Sequence, residues 1–441
     1  MTDWHLQTAA HLGRGIGAGI IDPVDLVDHY LDRIAAHPLT PRIYARTTEA
    51  RAHAEAHAAR IRAKSGMRRS LLDGVPLSWK DLFDTAGTPT EAGTALLTGR
   101  VPDHDAQVLQ TATIQGAVCL GKTHMTELAF SGLGLNPSTA SPPCTNDPQA
   151  VSGGSSSGAA TSVAFHLAPA AIGSDTGGSV RIPAAWNDLV GLKTTLHRLP
   201  TKGVVPLCPS FDTVGPLAKS VEDCALILAL LSGETPIDLT PHPLTARFGV
   251  LQTVALDVLR PEPASAFDDA LTRLAKSGAT LTPLHAPELA EALSLVPLLF
   301  APEAYATCRA LIEAAPDKMY PLILDRFRSG AHITAADHIA ATQRLQILRQ
   351  IWTTRCAPYD AILLPTAPII PPNAQRALTD PAYFAAENLL ALRNTRIGNL
   401  MNQCVLTLPT GHKSCGISLM APPNHEHRLL RLAQAAERAL L

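Results

Sequence analysis

Two Ser/Gly-rich stretches lie close together in the chain, Ser152-Gly-Gly-Ser-Ser-Ser-Gly158 and Gly173-Ser-Asp-Thr-Gly-Gly-Ser-Val-Arg-Ile-Pro183. Consecutive glycines before a serine let neighbouring backbone N–H groups point at one spot, the geometry that stabilises an oxyanion. The first stretch also contains G-x-S-x-G centred on Ser156, the form of a nucleophile elbow, which needs a strand leading in and a helix leaving. A helix after it is readable, but Asn146–Ser152 allows at most a very short strand. A flexible loop is the plainer reading of either stretch alone; two in tandem around one helix–strand unit fit plain loops less well. A third element, Leu71-Leu-Asp-Gly-Val-Pro-Leu-Ser-Trp-Lys-Asp81, sets Lys80 behind an apolar run and Trp79. A lysine at a strand end commonly snorkels to water. One held among apolar groups can instead lose its proton and serve as a base. A fourth, Gly116-Ala-Val-Cys-Leu-Gly-Lys-Thr123, matches the phosphate-loop pattern G-x-x-x-x-G-K-[ST]. Its inner residues are apolar and β-prone, and a helix precedes its first glycine instead of following the last, so a strand is expected there.

The elements that must position these residues alternate along the chain. Apolar periodicity predicts helices over Val24–Ala36, Glu49–Lys64, Ala106–Gln115, Ser157–His166, Ser220–Leu231, Ala335–Arg355 and His425–Leu440. Ser220 and Asp223 form a candidate capping pair. Strands are expected at Ala117–Leu120, Pro169–Ile172, Val250–Val254, Ala279–Leu284, Ala361–Leu364 and Gly416–Met420. Strands separated by helices indicate an α/β fold with a mostly parallel or mixed sheet. No repeat and no Gly/Ser- or Pro-rich linker divides the sequence, which points to one large domain despite its length.

Composition narrows the function classes. The 441 residues carry 36 basic and 38 acidic side chains, a net charge of −2, and the basic set is 27 Arg and 9 Lys. Only 17% are charged, against about 25% in an average soluble protein. With no basic run, nucleic acid and polyanions are poor partners. The richest apolar runs, Cys224–Leu231 and Leu295–Ala301, fall short of the roughly 18–20 residues that span a bilayer, so no membrane partner is expected. Met1–Gln7 lacks the basic-then-apolar order of a secretory signal. None of the 8 cysteines stands two to four residues from another, and the 17 histidines form no metal-binding cluster. No metal and no cofactor are expected, and the cysteines read as small buried hydrophobes of a reduced, cytoplasmic protein.

The chain resembles the amidase signature family, serine hydrolases with a Ser–cis-Ser–Lys triad. Gly153–Lys193 carries the central motif almost throughout. Also similar are Gly74–Asp81, Gly121–Ala129, Pro209–Pro216, Ser220–Asp223, Tyr359–Pro368 and Gly416–Pro423. The resemblance implies a single α/β domain over 1–441 with a central mixed sheet flanked by helices. Its signature core would span about 71–223, and its N-terminal helices about 1–65. Position by position it implies Ser179 as nucleophile, Ser155 as the relay serine after a cis peptide bond, and Lys80 as base. The N–H groups of Thr176, Gly177, Gly178 and Ser179 would form the oxyanion hole. Asp175 and Arg181 would brace that loop, and Ala129 would line the acyl pocket. Asp188 and Thr194 depart from the family's usual Gly and Pro. The implied activity is hydrolysis of a C–N bond in a small amide, anilide or carbamate (urethane), with esterase side activity, no cofactor and a homodimer as the assembly. The alternative within the family is the A-type subunit of a glutamine-dependent tRNA amidotransferase, working with partner subunits. The Tyr-rich helix usual in those subunits is missing from Asp325–Gly330 and Ala335–Arg355.

Overall fold

In the computed structural model, which describes residues 3–440, 11 strands join one sheet. Met1, Thr2 and Leu441, the ends of the expected span, lie outside the described residues. The strands are β1 (Tyr44–Thr47), β2 (Pro76–Lys80), β3 (Val118–Thr123), β4 (Ala170–Asp175), β5 (Val190–Lys193), β6 (Thr213–Ala218), β7 (Arg247–Leu251), β8 (Thr280–Leu284), β9 (Ala361–Pro365), β10 (Cys404–Pro409) and β11 (Gly416–Ala421). Their order is β1-β3-β2-β4-β6-β5-β10-β11-β9-β7-β8. β3, β2 and β4 run parallel, as do β9, β7 and β8, and the remaining neighbours are antiparallel. The domain is therefore α/β with a mixed sheet flanked by helices.

Every residue of β2 to β6 is buried, which is why these strands read as runs of apolar and small residues without alternation. The expected strand around Gly121-Lys-Thr is β3. Strands β5 and β6 were not legible because Gly and Pro interrupt them, and Pro within a run argues against a central strand. Gly215 in β6 serves close packing: a Cβ there would sit 1.9 Å from the Leu192 carbonyl oxygen of β5.

The expected helices form, Glu49–Lys64 with its expected ends and the others with ends shifted by at most two residues. At Pro23–Ala36, proline occupies the first turn, where its missing N–H costs nothing, and Asp22 accepts the Val24 N–H at 2.9 Å. Ser220 caps its helix through the Asp223 N–H at 3.1 Å. The Asp223 carboxylate does not close a reciprocal pair; it accepts the Ala10 N–H at 2.8 Å and fastens the N-terminal helix instead.

The count of unbroken apolar runs missed one feature. Glu288–Ala314, charged residues included, is long and apolar enough to cross a membrane by length and composition. In the fold it forms two consecutive helices, Glu288–Ser294 and Val296–Ala314, that bury Leu299, Phe300, Ala304, Cys308 and Ile312.

Candidate active site

β2 and β4 are parallel neighbours, with Ser78 beside Ala171 and Trp79 beside Ile172. Lys80 and the pair Ser174-Asp175 thus emerge together from the carboxyl ends of adjacent strands, the place where open α/β sheets bind ligands. Lys80, the last residue of β2, is fully buried, as is Trp79 before it. Its Nζ donates to Ser155 Oγ at 2.7 Å and to Ser174 Oγ at 2.8 Å. Burial pulls the ammonium down to about 7, against the opposing pull of the Asp175 and Asp212 carboxylates. Near neutral pH about half of these amines carry a lone pair that can accept a proton.

Ser155 follows a cis Gly154–Ser155 peptide bond. Its segment is tied to its surroundings by three backbone bonds. Gly154 N–H donates to Gly132 O at 2.8 Å, Thr126 N–H to Ser155 O at 3.1 Å, and Ser156 N–H to Ser179 O at 3.2 Å. The last bond brings the two Ser/Gly loops together.

The turn after β4 is organised by one buried carboxylate. Asp175 receives both arms of Arg181 at 2.9 and 3.0 Å, Asn399 Nδ2 at 2.9 Å, and the N–H groups of Gly178 at 2.9 Å and Val180 at 3.2 Å. Burial alone would raise its pKa, but the Arg181 guanidinium holds it at about 2. Gly178 lies at φ +138°, and a Cβ there would meet Thr395 Oγ1 at 2.2 Å, so only glycine fits. The same network corrects one expectation: the Gly178 N–H points at Asp175 and is not available to an oxyanion. Thr176, Gly177 and Ser179 keep N–H groups with no bond among the described residues.

Ser179 opens onto a cavity of about 180 Å³, shared with Ala129, Phe130, Thr176 and Gly177. Ala129, at φ +60°, is part of this lining. The Ser179 hydroxyl makes no hydrogen bond to Ser155 or Lys80 among the described residues. Ser156, the centre of G-x-S-x-G, is fully buried and donates to the Ser174 carbonyl at 3.2 Å, which removes it as an elbow nucleophile. Lys122 of the phosphate-loop pattern is locked inside β3, donating to Thr90 Oγ1 at 2.8 Å and paired with Asp81 at 3.2 Å.

Several participants were not singled out from the sequence. Ser174 directly precedes Asp175 in the second Ser/Gly-rich stretch. Asp212 accepts from Thr176 Oγ1 at 2.5 Å and fixes the start of the turn. Arg326 and Arg396 also line the cavity. Arg396 had a readable signal: Leu389, Leu392 and Arg396 share one helical face, where an arginine interrupts an apolar stripe.

The family model described as Amidase matches residues 25–430 of this chain. The chain is 33% identical to the 2-amino-5-chloromuconic acid deaminase of Comamonas testosteroni, over 98% of this chain and 96% of that protein. It is 29% identical to the A-type subunit of the glutamyl-tRNA(Gln) amidotransferase of Deinococcus radiodurans, over 98% of this chain and 97% of the relative. A crystal structure of an amidase superposes with a TM-score of 0.88 at 28% identity, covering 98% of this chain and 99% of that one.

Proposed function

The chain belongs to the amidase signature family, hydrolases acting on C–N bonds, and from that premise we propose a stand-alone enzyme that cleaves a small amide through an acyl-enzyme on Ser179. The observation that carries this reading is the contact between a fully buried Lys80 and Ser155 at 2.7 Å, next to a Ser179 that opens onto a cavity. Neutral Lys80 takes the Ser155 proton as Ser155 takes that of Ser179, and Ser179 Oγ bonds to the carbonyl carbon. The relay needs the two serine hydroxyls to close to hydrogen-bond distance in the substrate complex. The oxyanion is received by the N–H groups of Thr176, Gly177 and Ser179. The C–N bond breaks as the nitrogen takes a proton back through Ser155 from Lys80, releasing amine. Water then cleaves the acyl ester by the same relay, giving acid and free Ser179.

Anilides, carbamates and esters suit the same attack, because only the leaving group and acyl substituent differ. The eight cysteines, all buried and unpaired, fit a reduced, cytoplasmic setting. A second reading, the A-type amidotransferase subunit, is favoured by the likeness to the Deinococcus protein. Against it, the helix Ala335–Cys356 contains no tyrosine. The test is a panel of p-nitroanilides, carbamates and primary amides, with Ser179→Ala as blank, on protein whose mass is measured by light scattering. Turnover by the purified chain, as a monomer or homodimer, supports the proposal. Glutaminase activity appearing only with co-purified partners overturns it in favour of the second reading.

A further inference from the structure

Arg326 and Arg396 reach the cavity of Ser179 from two helices, Pro321–Arg328 and Pro381–Leu400. Among the described residues neither guanidinium donates a hydrogen bond or joins an ion pair, and Arg326 Nε is buried with no partner. Two arginines elsewhere in the fold do find partners. The buried Arg181 is held by Asp175 and by the Thr395 carbonyl, and Arg349 by the Leu400 carbonyl. Native structures rarely leave a buried donor such as Arg326 Nε unsatisfied, and each exception calls for a partner. Among the described residues no Asp or Glu lines the cavity, whose other walls are mostly apolar, with Phe130, Phe300 and Leu392 among them. Burial and the nearby Arg326 charge both push the Arg396 guanidinium below its ordinary pKa, a repulsion that an anion between the two would relieve.

Both side chains are held in place without using their donors. The Arg326 guanidinium lies over the Phe130 ring, 4.7 Å from its centre. Its helix begins where the Tyr320 N–H donates to the buried Glu127 at 2.9 Å. Arg396 runs along the turn that presents the free N–H groups: a Cβ on Gly177 would lie 3.6 Å from Arg396 Cγ and 3.9 Å from its Nε. Guanidinium forks match carboxylates in geometry as well as in charge.

We propose that Arg326 and Arg396 form a carboxylate subsite, so that the substrate is a short amide carrying a free carboxylate a few atoms from the scissile carbonyl. This rests on the hydrolase reading of the same cavity. It is tested on Ser179→Ala protein, which binds without turnover, by calorimetry with succinamate and glutaramate and with the corresponding neutral diamides. We expect each acid that binds to do so at least about tenfold more tightly than its diamide. Arg396→Gln and Arg326→Gln, each added to Ser179→Ala, are expected to bring that ratio to within about threefold of unity. Because the readout is a ratio on one folded protein, a general loss of stability does not mimic it. The proposal is overturned if neither acid outbinds its diamide, or if the preference survives both substitutions. Ammonia release by the wild-type enzyme separates the two ideas. A carboxylate preference in Ser179→Ala, with wild-type enzyme turning over neither these four compounds nor any of the anilides, carbamates and primary amides above, sinks the hydrolase reading and leaves the subsite standing. Hydrolysis without preference does the reverse.

Discussion

Protonating Lys80 is the perturbation with the most defined consequence. A fall from 10.5 to about 7 corresponds to about 5 kcal/mol at about 1.36 kcal/mol per unit, supplied by complete burial against two attracting carboxylates. At pH 7 about half the enzyme then holds a neutral base, and at pH 5 about 1%; an ordinary lysine would be neutral in about one molecule in 3,000 at pH 7. The assay is kcat/KM against pH on any substrate the panel yields, since that ratio reports the free enzyme. It is expected to rise with unit slope up to about pH 7 and then level. Lys80→Arg keeps the charge but cannot release a proton, and is expected to lose at least about a thousandfold in kcat. Stability follows with a definite sign. The unfolded chain binds more protons than the folded one between about pH 7 and 10.5, so wild-type stability rises across that window through this group, and Lys80→Met removes that rise. Rates that climb steadily to pH 10, or a Lys80→Arg enzyme keeping a tenth of its activity, would rule out Lys80 as a base with a lowered pKa.

Asp175→Asn leaves buried Arg181 without its counter-charge and is expected to cost about 3–5 kcal/mol of stability in denaturant titrations. Because the folded pKa of Asp175 is held at about 2, its contribution is complete above about pH 4 and disappears as pH falls toward 2, a slope the variant should lack. Gly178→Ala drives a Cβ into Thr395 and displaces the N–H groups around Ser179, so kcat is expected to fall about a hundredfold with KM little changed. Ser174→Ala removes one acceptor from Lys80 Nζ, which favours the neutral amine; the acid limb of the pH profile is expected to move to lower pH while kcat stays within about tenfold of wild type.

What could be read from the sequence followed local rules. Helices with a 3.6-residue apolar stripe and a recognisable cap, such as Pro23–Ala36, appeared where the pattern put them. So did β3, whose apolar interior outweighed its match to a phosphate loop. Strands β5 and β6 escaped because their Gly and Pro are tolerated only by close contacts with partners far along the chain, such as Gly215 against Leu192. The site divided in the same way. Lys80, Ser155 and Ser179 lie in compact motifs, and each was named from the resemblance to a known family. Arg326 and Arg396, 70 residues apart, meet only through tertiary packing. The Gly178 N–H looked available until the side chain of Asp175, three residues earlier, turned back to accept it. Spacing along a chain does not reveal such local competition for donors.

Covalent capture of the nucleophile shows which serine attacks. The protein is treated with a fluorophosphonate, its intact mass is measured, and the modified peptide is sequenced by mass spectrometry. One phosphonate per chain is expected, on Ser179, with none taken up by Ser179→Ala. Label on Ser155 or Ser156, or label that persists in Ser179→Ala, would contradict Ser179 as the nucleophile.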